Sequence, residues 1–98
     1  MSMNPKQLKM VIGKMMNVIK PNGVSNMNFH LTPINKNEYY LGVTYIVPDG
    51  SEFLGDLKKT DYYRSGWNRE IKNTIKNYFD IDVIINSSGV QSESYFNR

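Results

Sequence analysis

The 98 residues contain no cysteine and no alanine, and a single histidine. Without cysteine there is no disulfide framework, no thiolate-bound zinc or iron–sulfur cluster, and no thiol nucleophile. With only His30, any triad or metal site that needs two imidazoles is excluded as well. No run of residues approaches the roughly 20 apolar positions that cross a bilayer. Lys6, Lys9 and Lys14 also break up the N-terminal apolar residues where a secretory signal needs an unbroken stretch. The expectation is an intracellular protein, cytoplasmic or packaged in a particle assembled there, without membrane contact. The triplet Asn86-Ser87-Ser88 has the form of a glycosylation acceptor, which has no role in such a compartment.

The missing alanine is informative because alanine is normally among the commonest residues. Alanine needs GC-rich codons, whereas the abundant Asn (12), Ile (9) and Lys (9, against 3 Arg) use AT-rich ones. An AT-rich genome, such as that of a phage, virus or bacterium, explains the pattern. Part of the net charge of +3 then reflects codon usage rather than a binding surface. With 40% hydrophobic and 21% charged residues the chain is globular in composition, and its length suits one domain over residues 1–98.

Hydrophobic periodicity divides the chain into five elements. Leu8, Val11, Ile12, Met15, Val18 and Ile19 recur at helical spacing, with Met16 at the edge of the stripe, and predict a helix over 5–20 capped by Asn4. Pro21-Asn22-Gly23 ends it. The period then changes to two. Met27, Phe29 and Leu31, then Tyr39, Leu41, Val43, Tyr45 and Val47 after an Asn-rich loop, predict an antiparallel hairpin. Pro48-Asp49-Gly50 is a turn, and 51–60 has no clear period. A second helix is expected to begin between Asp61 and Asn68, with Gly66 kinking it, and to carry the stripe Tyr63, Trp67, Ile71, Ile75, Tyr78 and Phe79. Residues 82–86 predict a third strand and Ser87-Ser88-Gly89 a turn, leaving 90–98 as a short extra strand or a partly ordered tail. The order α-β-β-α-β is an α+β domain: a small sheet with both helices on one face.

The motifs that carry chemistry are incomplete. Gly50 to Gly55 has the glycine spacing of a phosphate-binding loop, but Asp56 and Leu57 stand where Lys and Ser/Thr are required. Gly13 begins a GXXG pattern whose second glycine is Met16. Asp80 and Asp82 provide two carboxylates with no third ligand, and Asp61 and Ser65 read as helix caps. His30 lies among Asn28 and Thr32 on the polar side of the first strand. The sequence therefore assigns no catalytic, metal or cofactor residue and no small-molecule substrate, and the expectation is a protein that is not an enzyme.

Arg64-Ser65-Gly66 sets a glycine-containing interruption in the second helix. With the element order, it resembles the type II KH-like arrangement of the ribosome-binding factor A family. That resemblance implies a KH-like fold and contact with RNA. Two functional expectations follow. The first is a binding module acting through protein contacts, by self-association or with a protein partner in a larger assembly. It rests on the weakly polar second face of the hairpin, including Tyr40 and Ile46, the Met-rich first helix, and the aromatic end with Tyr95 and Phe96. The alternative is RNA or DNA binding by Lys6, Lys9 and Lys20 on the first helix and Arg69, Lys72 and Lys76 on the second, if these stripes merge into one basic surface.

Overall fold

A computed structural model describes residues 4–97, so the expected domain and its C-terminal segment are seen without residues 1–3 and Arg98. The first helix, α1, spans Pro5–Ile19; the Asn4 side chain accepts a hydrogen bond from the Gln7 N–H at 2.8 Å, and proline occupies the first turn, where its missing N–H costs nothing. Gly23, at φ +88°, turns the chain into strand β1, Asn26–Pro33. The hairpin returns as β2, Glu38–Val47, in the antiparallel register Met27–Tyr45, Phe29–Val43 and Leu31–Leu41. A 3₁₀ turn at Glu52–Leu54 leads to helix α2, Leu57–Phe79, then strand β3, Asp82–Ser92, and a last turn of helix, α3, Glu93–Phe96.

The sheet order is β1-β2-β3, with β1 antiparallel and β3 parallel to the central β2. A parallel neighbour requires a crossover connection, and α2 supplies it. Helix α1 packs over β1 and α2 over β3, both on the same face. That face holds one core: Tyr39, Leu41, Val43, Tyr45 and Val47 of β2, Phe29 of β1 and Val83 of β3, under Leu8, Ile12 and Met16 of α1 and Trp67, Ile71 and Ile75 of α2. The α+β class and the element order are as the periodicity indicates.

Two boundaries and one expected kink differ from the sequence expectation. Helix α2 starts at Leu57, before the expected Asp61–Asn68 window, because Asp56 caps it by accepting from the Lys58 and Lys59 N–H groups. Its first turn escapes the apolar period because it is held by polar bonds. Thr60, buried, donates to the Phe53 carbonyl at 2.5 Å. The helix also runs unbroken through Gly66. Finally, Ser87-Ser88-Gly89 is strand, not turn. A bulge falls here: Leu41 pairs with Ile85 and Gly42 with Ser87, leaving Asn86 unmatched. The extra residue shifts the alternation by one. Ser88 and Val90 thereby follow Val83 and Ile85 onto the core side, and Val90 packs against the core. The chain from Val90 thus completes β3 and then turns into α3. The Asp49 carboxylate holds that turn, accepting from both the N–H and the hydroxyl of Ser94.

Candidate protein-interaction surface

Helix α1 carries more apolar surface than the sheet covers. Leu8, Ile12 and Met16 are buried, but Val11 and Ile19 are exposed and Val18 is 84% exposed. The buried line is therefore rotated from the expected stripe. Met16 moves from its edge to the centre, and Val11 and Val18 move out. Helix α2 shows the same surplus, since Trp67, Ile71 and Ile75 are buried while Tyr78 is 75% exposed. These leftovers converge. Val11, Met15, Val18 and Ile19 of α1 and Tyr78 and Phe79 of α2 line one hollow of about 470 Å³ between the helices.

Two further hollows continue it. Ile19 also borders the next, of about 340 Å³, with Pro21, Met27, Ile71 and Thr74. Trp67, Glu70 and Asn73 are shared with a third, of about 480 Å³, bordered by Tyr62, Tyr63 and Arg69. The line of hollows follows α2 from Tyr78 back to Tyr62, roughly 24 Å at 1.5 Å per residue, bordered by α1 residues in its first two hollows and by α2 alone in the third. Its aromatic end is braced by an edge-to-face cluster. Phe53 lies 5.1 Å from Trp67 and 5.2 Å from Tyr63, and Trp67 lies 4.9 Å from Tyr45. Lys14 sits on the same flank of α1 as Val11 and Val18, and Glu70 lines the α2 wall, so the rim carries both signs of charge.

The expected basic surface is not continuous. At about 100° per residue, Lys6, Lys9 and Lys20 fall on the flank of α1 opposite Val11 and Val18, which face α2. Lys72 and Lys76 fall on the side of α2 turned away from Thr74, which faces α1, and Arg69 borders the third hollow, on α2 alone. The two stripes diverge. Lys76 is also engaged with Asp80 at 3.1 Å and Asp82 at 3.4 Å, the Asp80 bond raising its pKa most. Those contacts account for the Asp80–Asp82 pair, and Asp61 pairs with Arg64 at 2.9 Å.

The other expected contacts do not gather into one patch either. Tyr40 is 40% exposed on the outer face of the sheet, beside Thr32 and Ile84. Ile46 shares that face but is 2% exposed, so its side chain is not offered to a partner. Tyr95 and Phe96, both exposed, lie on α3 beyond the Val47–Ser92 end of the strands, roughly 20 Å along the sheet from Tyr40. His30 is exposed opposite Gly42 on the outer face. Among the described residues no three His, Asp or Glu side chains come together as a metal site, and no helix is long and apolar enough to cross a membrane.

No protein-family model, curated protein or solved structure matches this chain. Its surface must be read on its own geometry.

Proposed function

We propose that the protein acts through protein contacts, without catalysis, as the subunit of a larger assembly, and that the cleft between α1 and α2 is its contact surface, filled by the same cleft of a second copy. The reading rests on the convergence of Val11, Val18, Ile19 and Tyr78 on one hollow. Apolar residues beyond the needs of the core are the usual mark of an interaction site when they lie together. A two-fold interface must be self-complementary, with each patch supplying both projection and recess. Val18 and Tyr78 project, and the hollow between them recedes. Lys14, on the flank of α1 that carries Val11 and Val18, and Glu70, on the α2 wall, would supply opposite charges for the rim. A stable interface covers about 800 Å² per partner. The hollow and the exposed Val11, Val18, Ile19 and Tyr78 around it would form the centre of such a footprint. An intracellular particle of phage or viral origin is the setting that suits the composition.

The chain's lack of cysteine provides a direct test. Val18→Cys introduces the sole thiol at an exposed position that does not support the core. Under mild oxidation it is expected to give a disulfide-linked dimer at low protein concentration. Lys36→Cys, on the hairpin loop, is expected to stay monomeric. Equal cross-linking by both variants, or none by Val18→Cys, contradicts the reading. Nucleic-acid binding predicts a monomer whose affinity for an oligonucleotide falls steeply with salt.

A further inference from the structure

All nine acidic residues lie from Glu38 onward, while the first 37 residues carry five lysines and no Asp or Glu. The fold concentrates this asymmetry along one edge. Among the described residues strand β1 has β2 as its only neighbour, so its other side presents backbone N–H and C=O groups that no strand covers, although the Met27 N–H is taken by the Asn26 side-chain oxygen at 2.8 Å. Exposed edges are usually blunted by charge, proline or a bulge. Here the eight residues of β1 contain no Lys, Arg, Asp or Glu, their one proline is the terminal Pro33, and their register with β2 is regular. The opposite edge strand, β3, has the bulge at Asn86.

Helix α1 overhangs that open edge with positive charge. Its Val11–Val18 flank faces α2, so the opposite flank lies toward the free side of β1. Lys6, Lys9, Gly13 and Lys20 share that flank within a sector of about 60°. Two contacts fix the alignment. A Cβ at Gly13 would stand 3.6 Å from the ring of Phe29 in mid-β1, and the Lys20 ammonium donates to the Ser25 carbonyl just before β1, at 3.1 Å. Lys6 and Lys9 have no carboxylate partner among the described residues.

We infer that the free edge of β1 binds an extended acidic segment of a partner protein, which adds a fourth strand beside β1 and sets its carboxylates against Lys6, Lys9 and Lys20. The backbone supplies affinity by strand addition, and alternate side chains supply specificity. A second copy of β1 suits the edge less well, because pairing would bring the lysines of two α1 helices together. The inference does not depend on the cleft.

The test uses a capped eight-residue peptide of alternating Glu and Thr, titrated onto the full chain and followed by amide chemical shifts. Saturable binding is expected, with shifts centred on Asn28–Thr32. The Lys-for-Glu peptide, and the Lys6→Glu/Lys9→Glu variant with the original peptide, are each expected to bind about tenfold more weakly or worse. N-methylation of every second peptide residue removes half the donors and no charge. In at least one of its two phases it is expected to cost about tenfold, since only one set of N–H groups faces β1. Val18→Asp is expected to bind the peptide as the natural chain does. The proposal is overturned by no saturable binding, by equal binding of the Lys peptide, by full binding of both N-methylated phases, by indifference to the lysine reversals, or by loss in Val18→Asp. Displacement of the peptide by an oligothymidylate that binds more tightly would assign the lysines to nucleic acid instead.

Discussion

The Tyr45 side chain joins three elements through two hydrogen bonds. Its hydroxyl donates to the Asn68 side-chain oxygen of α2 at 2.7 Å, and the Asn68 amide donates to the Ser88 hydroxyl of β3 at 3.1 Å. The phenol is fully buried, and that burial pushes its pKa well above the usual tyrosine value, with Arg64 opposing the shift. A raised folded-state pKa means stability that is complete below the unfolded value, near 10, and is lost as pH rises beyond it. Tyr45→Phe keeps the ring against Trp67 and removes the hydroxyl. At pH 8 the variant is expected to be less stable by about 1 kcal/mol, because Asn68 loses its donor. Above pH 10 the natural chain loses up to about 1.4 kcal/mol per pH unit at this site and the variant does not. Urea midpoints at pH 8 and pH 11 check this: the gap is expected to close or reverse, and a constant gap contradicts it. This network was not legible in the sequence. Tyr45 read as an apolar core position, and Ser88 read as part of a turn.

Among the elements, those with an uninterrupted period were readable: the hairpin pairs as the alternation of Met27, Phe29 and Leu31 with Tyr39 through Val47 requires. The ends of α2 and β3 were not, because their signals are tertiary. The first turn of α2 is fixed by Asp56 and by Thr60 reaching back to Phe53. The far half of β3 is strand because β2 lies beside it, although Ser87-Ser88-Gly89 favours a turn locally. Gly66 has the opposite history. It suggests a kink, yet the helix passes through it, and a Cβ there would meet no atom within 4 Å. Gly66→Ala is therefore expected to stabilise the protein by about 0.5–1 kcal/mol, raising Tm by a few degrees in thermal unfolding. A fall in Tm would mean that α2 needs the glycine's freedom.

For the molecule as a whole, the candidate site was half visible. Val11, Val18, Ile19 and Tyr78 all stood in the apolar stripes, but a stripe does not show which of its members the sheet covers. That depends on the rotation of each helix, which buries Met16 and leaves Val18 outside. The charge asymmetry along β1 was fully present in the sequence, as the run of 37 residues without an acid. Its meaning depends on β1 being an edge strand. The molar mass in solution tests the central claim most directly. Light scattering after a high-salt wash, at about 100 µM and with absorbance at two wavelengths to detect nucleic acid, is expected to give about 23 kDa, twice the 11.4 kDa chain. Val18→Asp is expected to return the mass to that of one chain with an unchanged circular dichroism spectrum. A nucleic-acid-free monomer at every concentration, or a dimer untouched by Val18→Asp, would contradict the assignment of the cleft as the contact between copies.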